Sequence, residues 1–436
     1  MNSEGKLSVE KSGGAPLAPR LRFPEFEEAD GWREISLQKI ARPVTDRATT
    51  GDAENVLSLS GEHGLVLQSD YFGKKVAGDS TDRYLKIRKD DFVYNDRTTK
   101  ASSFGTIKRL SAYSGGIVSP IYKCFRFQPS EKPAFWEQYF ESGSHDPALG
   151  GLVNEGARAG RFNISTKQFL STNAWRPDEA EQQKVADCLD SADALIAAQG
   201  RKVEALRAHK KGLMQQLFPQ EGETQPRRRF PEFEGAEEWK ECDFPNVIFF
   251  QEGPGIMAVD FHDDGVPLVR LSGLSGQRVT LEGCNYLDPA KVQKKWDHFR
   301  LEVGDIVVSC SATFGRPAIV DDAATGAVFY TGLIRFRPKN RRLDAGYLEV
   351  FLGSPSFSRQ AEAAAVGGGI RHFGPTHLRG MKAPLPPSVD EQQRIADCLT
   401  SLDDLITAET KKLDTLKTHK KGLMQQLFPQ IGETEA

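Results

Sequence analysis

The sequence predicts an α+β chain: two globular domains in tandem, each followed by a long helix, the two helices pairing as an antiparallel coiled coil with pseudo-two-fold symmetry. Three observations lead there. Residues 181–224 (EQQKVADCLDSADALIAAQGRKVEALRAHKKGLMQQLFPQEGET) return 210 positions later as residues 391–434, with 29 of 44 aligned positions identical. Apolar residues inside both copies recur every 3.5 positions, the period of a coiled-coil seam. The segment leaving the first copy is also too short to run back along a helix of that length.

Composition bounds the class. At 436 residues the chain has room for two or three domains with real cores. Hydrophobic residues at 39% and charged residues at 27% are those of an ordinary soluble protein. No run approaches the ~18 apolar residues of a membrane span. Residues 1–21 lack the apolar core of a signal peptide and are expected to be a flexible lead-in, so a cytoplasmic protein with no membrane partner is expected. The 6 cysteines show no CxxC and no ligand spacing, so no metal site is expected. Net charge is −3, although residues 32–175 hold 20 Lys/Arg against 16 Asp/Glu and residues 239–385 hold 17 against 16. That balance neither requires nor excludes DNA, because affinity depends on clustering of charge on one face.

Both repeats carry the same helix punctuation. Pro177-Asp178 is followed by Glu181, and Pro387-Ser388 by Glu391, each a capping-box pattern in which the cap oxygen accepts from the third N–H and the glutamate reaches back. Phe218-Pro219 and Phe428-Pro429 end the two helices, since proline cannot continue the ladder. The rods between these signals are ~58 Å long at 1.5 Å per residue. The seam of the first runs through Val185, Leu189, Ala192, Ile196, Gln199, Val203, Leu206, Lys210, Leu213 and Leu217. The second repeats it through Ile395, Leu399, Leu402, Ile406, Glu409, Leu413, Leu416, Lys420, Leu423 and Leu427. The polar members cost stability and set register. Each helix could instead pack only on its own domain, but two equal seams in one chain most simply pack on each other. The connector at 219–231 reaches at most ~43–47 Å, shorter than the rod, which favours the antiparallel pair.

A second echo frames the domains: RFPEFE at 22–27 with Trp32 recurs at 229–234 with Trp239. The boundaries that follow are a lead-in at 1–21, a first domain at 22–177, a central helix at 178–220, a second domain at 221–387 and a C-terminal helix at 388–436. The domains share a faint skeleton, SLSG at 58–61 against RLSG at 270–273 and KDDFV at 89–93 against VGDIV at 303–307. Strand-like runs follow at 116–127 (GIVSPIYKCFRF) and 327–337 (AVFYTGLIRFR). One fold with diverged surface loops is what two separate sequence readers require.

Loops that mix Gly, Arg, small hydroxyls and amides can reach phosphates and base edges. In the first domain these are 95–100 (NDRTTK), with Asn95, Arg97 and Lys100, and 154–163 (NEGARAGRFN), with Arg158, Arg161 and Asn163. In the second they are 309–316 (SCSATFGR), with Ser311, Thr313 and Arg316, and 367–373 (GGGIRHF), with Arg371 and His372. The alternative is an ordinary solvated loop at each place. No P-loop, GxSxG elbow or HExxH is present. GPGIMA at 253–258 imitates a dinucleotide fingerprint, but proline fills its turn and no βαβ context is evident. No catalytic residue is assigned.

The EQQ-initiated helices, their KKGLMQQLFPQ endings, the APLPP segment at 383–387 and the alternation of variable and repeated regions resemble the specificity subunits (HsdS) of type I restriction–modification systems. The resemblance runs from Arg22 to the end. It implies two target recognition domains, each reading one half of a bipartite asymmetric DNA sequence, with the paired helices setting the spacer. It further implies docking of two modification subunits that form an adenine-N6 methyltransferase using S-adenosylmethionine. Two restriction subunits would add ATP- and Mg-dependent translocation and cleavage, so this chain itself would need no cofactor. The rival readings are a coiled-coil assembly adaptor of a defence complex that does not read sequence, and a self-sufficient enzyme with an unfamiliar site.

Overall fold

A computed structural model describes residues 16–49, 55–72, 81–99, 102–152, 162–220, 222–310, 315–364 and 373–429. The chain forms two compact units, one of Met1–Gln199 with Lys412–Ala436 and the other of Gly200–Lys411. In chain order the first domain contains β1 (Arg33–Ser36), β2 (Ala41–Pro43), β3 (Val56–Ser60), β4 (Gly64–Leu67), α1 (Gln68–Phe72), β5 (Leu85–Arg88), β6 (Phe92–Asn95), β7 (Thr106–Arg109), β8 (Gly115–Val118), β9 (Lys123–Phe127), α2 (Pro133–Glu141), α3 (Asp146–Gly150), α4 (Thr166–Leu170) and β10 (Asn173–Arg176). The long α5 (Glu179–Leu217) follows. The second domain contains β11 (Lys240–Asp243), α6 (Phe244–Val247), β12 (Ile248–Glu252), β13 (Val266–Val269), β14 (Asn285–Leu287), α7 (Pro289–Lys295), β15 (Ile306–Ser309), β16 (Ala318–Ile319), β17 (Val328–Phe329), β18 (Leu333–Pro338), α8 (Ala345–Leu352), α9 (Pro355–Ala364), α10 (Pro375–Leu378) and β19 (Lys382–Leu385). The long α11 (Val389–Leu427) closes the sequence.

The two domains have one topology. Sheet order β2-β9-β6-β7 in the first is matched by β12-β18-β15-β16 in the second, and the β1-β10 pair by β11-β19. The remaining sheets, β4-β3-β8-β5 and β14-β13-β17, share a parallel pair, β3 with β8 and β13 with β17. The runs at 116–127 and 327–337 are each two strands rather than one. Pro120 and left-handed Gly332 (φ 84°) break them, and each half joins a different sheet. The buried ion pair under each central sheet is duplicated as well. Asp91 takes Arg126 at 2.5 and 2.8 Å, and Asp305 takes Arg337 at 2.6 and 2.8 Å.

α5 and α11 are each 39 residues long, as the cap and proline signals predict. Each unit contains one end of each helix, and the two segments run antiparallel within it. In the first unit Val185 and Leu189 of α5 join Leu427 and Phe428 of α11 in one core. In the second, Leu217 and Phe218 join Ile395 and Leu399. Every apolar residue assigned to the seam is buried or half-buried, with Leu189 and Leu399 at 0% exposure. Three of the four polar seam members form ion pairs: Lys420 with Asp193 at 2.7 Å, Lys210 with Asp403 at 2.5 Å and Glu409 with Lys202 at 2.5 Å.

The helix starts depart from the expected capping box in one respect. Asp178 Oδ1 accepts from the Glu181 N–H at 2.8 Å and Ser388 Oγ from the Glu391 N–H at 3.2 Å, so the caps form. The glutamates, however, do not reciprocate. Glu181 receives Arg22 at 2.9 and 2.8 Å, and Glu391 receives Arg229 at 2.8 and 2.6 Å. A bidentate guanidinium is a stronger partner for a buried carboxylate than one backbone N–H. The RFPEF echo therefore has a physical reason: its arginine fastens each domain to the start of its helix. The glutamine that follows completes the joint, for Gln182 accepts from the Lys132 N–H at 3.0 Å and Gln392 from the Asp344 N–H at 2.8 Å.

Candidate nucleic-acid interface

The described ends of the four candidate loops are joined in pairs, one pair in each unit. The β6 strand ends at Asn95, whose Oδ1 accepts from the Arg97 N–H at 3.3 Å and turns the chain. The Phe162 N–H then donates to the Asp96 carbonyl at 3.3 Å. The Asp96 carboxylate holds the Ile164 N–H at 3.1 Å and the Lys123 ammonium at 2.7 Å. The far side of the first loop is closed by Gly105, which has φ 87° and lies against the Asn95 carbonyl where a Cβ would collide at 2.3 Å. Asn95, Arg97 and Asn163 are thus brought to one place, with Arg97 and Asn163 exposed and Asn163 in the left-handed region at φ 54°.

The second unit repeats the joint. Phe373 N–H donates to the Cys310 carbonyl at 3.4 Å, the counterpart of the bond from Phe162 to Asp96. Cys310 N–H in turn donates to the Gly332 carbonyl at 2.8 Å, and the Gly315 N–H to the Ser309 carbonyl at 3.1 Å. Arg316 is exposed just before β16. Lys100, Arg158, Arg161, Ser311, Thr313, Arg371 and His372 lie outside the described residues.

Two residues of the first patch were not singled out from the sequence. Asp96 is buried and pins both loop bases, and an acid inside an otherwise amide- and arginine-rich loop was the available signal. Tyr122 extends the patch to the SLSG corner, its hydroxyl accepting from the Leu59 N–H at 3.5 Å. Burial raises the Tyr122 hydroxyl pKa, a rise opposed by that bond and by the nearby Arg97 charge. No sequence pattern marks that contact, which depends on strand pairing.

Residues 284–418 match the family model described as Type I restriction modification DNA specificity domain. This stretch runs from the start of β14 through most of α11, and it includes the Cys310–Phe373 joint and Glu391. The Type I restriction enzyme MjaVIII specificity subunit of Methanocaldococcus jannaschii is 26% identical over 277 residues, which is 61% of this chain and 63% of that protein. Residues 284–418 thus carry a type I restriction–modification DNA specificity domain. A putative MjaX specificity subunit of the same organism is 28% identical over 171 residues, 38% of this chain and 39% of that one. The match therefore spans under two thirds of the length of these curated relatives. Two solved structures share the fold of this chain. One, from work on complex assembly and conformational transition of a type I R-M system, has a TM-score of 0.57 at 17% identity over 92% of this chain and 98% of that one. The other, the S subunit from M. genitalium, has a TM-score of 0.54 at 13% identity over 95% and 100%. Among the described residues no helix is long and apolar enough to cross a membrane.

Each unit carries a glutamate with a raised pKa at matching places on α2 and α8, Glu137 and Glu349. Burial raises Glu137 from 4.5 to about 7, although Arg109 opposes the shift and Glu141 adds to it. Burial likewise raises Glu349 to about 7, with Asp403 adding to the shift and Lys210 opposing it. The folded state therefore holds more protons than the unfolded chain between these values. Stability from this source is full below the unfolded pKa, falls as pH rises toward about 7, and is level above that. Replacing both residues, Glu137→Gln and Glu349→Gln, is expected to flatten the decline and to add on the order of 1 kcal/mol each at pH 8. Melting temperatures of the single and double variants at pH 5.5 and 8 check this; equal gains at both pH values would contradict it.

Proposed function

We propose that the chain is the non-catalytic DNA-reading subunit of a type I restriction–modification complex. Each target recognition domain, 22–177 and 221–387, reads one half of a bipartite asymmetric sequence in double-stranded DNA. The paired helices set the spacer and dock two modification subunits. Methyl transfer to adenine N6 from S-adenosylmethionine belongs to those partners, and ATP- and Mg-dependent translocation and cleavage to two restriction subunits, all in the cytoplasm. The observation that supports this most is the contrast between frame and loops. The two domains share topology, the buried Asp–Arg pair, the Arg–Glu fastening and the backbone bond joining two loops, while the sequences of those loops differ throughout. A common frame bearing different loops suits two readers of different sequences.

Exchanging residues 32–175 for the equivalent stretch of another specificity subunit, co-expressed with its modification subunits, is expected to change one half-site of the methylated motif. The other half-site and the spacer should stay as they were. Methylation-site sequencing of the host DNA reads all three. An unaltered motif, or loss of all sequence preference with assembly intact, would favour the coiled-coil adaptor instead.

A further inference from the structure

We propose that Arg270 is a base-reading residue of the second domain, presenting its guanidinium to the edge of a guanine in duplex DNA from a cleft at the ends of β13 and β17. The inference rests on the DNA-reading function proposed above and gives it a specific contact.

Because β13 and β17 run parallel, the chain leaves both at the same end, side by side, and the Tyr330 N–H bonds the Val269 carbonyl at 3.1 Å. A cleft of about 370 Å³ opens there, lined by Arg270, Leu271, Ser272, Tyr330, Thr331 and Gly332. The Arg270 guanidinium carbon lies 4.3 Å from the centre of the Tyr330 ring and 5.5 Å from that of Phe261. Its Nη1 donates to Asn285 Oδ1 at 2.5 Å. Stacking and one bond to a neutral amide hold the group without cancelling its charge. Among the described residues no carboxylate forms an ion pair with it, unlike Arg126, Arg335 and Arg337 of the cores. Of the five N–H donors of a guanidinium, most stay available to a ligand. A planar fork already held in place suits the paired acceptors O6 and N7 of guanine.

The surroundings fit a DNA groove better than a small-molecule pocket. Leu271 is 60% exposed beside the arginine, and Met257 and Val259 are 71% and 80% exposed on the segment leading to Phe261. Apolar groups of this kind meet sugars and thymine methyls. The Gly332 carbonyl, in the cleft wall, accepts from the N–H of Cys310, so the wall reaches the base of the candidate loops.

The duplication separates base from phosphate. The corner is shared as Leu-Ser-Gly in both domains, but the residue before it is Arg270 in one and Ser58 in the other. Ser58 Oγ accepts instead from Gln68 Nε2 at 2.9 Å. The phosphate backbone is uniform, so an anchor to it is useful to both readers alike. A residue that differs at an otherwise shared corner marks where the two differ.

Selection of the full-length chain on a randomised double-stranded DNA library, with bound sequences read out, tests this. Wild type should yield a two-part motif. Arg270→Gln should lose preference for guanine at one position of one half-site, by roughly 10–100-fold against other bases, and leave the other half-site unchanged. Arg270→Lys keeps the charge but not the fork, and should relax the same position while retaining affinity. The exposed Leu271→Ala leaves the core intact and should weaken the same half-site only. If both arginine variants keep the wild-type motif, or weaken all sequences equally, the assignment is overturned while the DNA-reading function stands. If wild type selects no motif, that function fails first.

Discussion

Truncating Glu391 to alanine should destabilise the second unit by about 3–5 kcal/mol. The carboxylate is 1% exposed and receives both Arg229 bonds together with the Trp239 indole N–H at 3.1 Å. Its loss leaves a largely buried guanidinium without its counter-charge, and the free energy of that burial exceeds the net worth of the pair. The equivalent Glu181→Ala should be milder by about 1 kcal/mol. In the first unit the indole of Trp32 is buried without a hydrogen-bond partner, so one bond fewer is lost. Urea unfolding of the full chain measures both. The double variant Arg229→Ala with Glu391→Ala should recover part of the loss, and a double variant as unstable as the sum of its singles would show that the two side chains act separately.

Asp305→Ala is expected to cost as much or more, because two arginines depend on this carboxylate. It binds Arg337 Nε and Nη2, lies 3.6 Å from Arg335 Nη1 and accepts the Glu302 N–H at 2.9 Å. Arg335 is itself buried between Phe249 and Phe329, at 5.4 and 5.5 Å from their ring centres, and burial lowers its pKa. Asp91 in the first domain likewise accepts a backbone N–H, from Arg88 at 2.8 Å, but among the described residues it meets one guanidinium, that of Arg126, since Cys124 occupies the strand position that Arg335 holds in the second. Asp91→Ala should therefore cost about 3 kcal/mol and Asp305→Ala about 5. Adding Arg335→Met to Asp305→Ala, which imitates the first domain, should restore part of the difference in the same urea measurement. Equal losses for Asp91→Ala and Asp305→Ala would mean that Arg335 is held without Asp305, by its stacking and its bonds to Gln251 and the Arg300 and His298 carbonyls.

What could be read in the sequence follows from how local each feature is. The long helices were legible from end to end, because a cap, a 3.5 spacing and a proline all act within a few residues of where they stand. The seam polar residues were legible as positions but not as partners, since Asp193 and Asp403 lie off the apolar stripe. The sheets were less legible. Strands of two to six residues carry little periodicity, and GIVSPIYKCFRF gives no sign that its halves enter different sheets. Glu181 was read as a reciprocal cap because its true partner, Arg22, is 159 residues away. The pairing of loops through Asp96 with Phe162 and Cys310 with Phe373 is of the same long-range kind.

Two of the cross-helix ion pairs have a consequence for how such a chain can change length. Lys210 meets Asp403 in one unit and Lys420 meets Asp193 in the other, so the same two helices are pinned near both ends. A heptad gained by one helix alone would keep its stripe in phase, yet only one of those pins could still close. Lengthening has to occur in both helices together to keep both. The repeat thus behaves as a ruler printed twice, and a heritable change of scale has to be written in both copies.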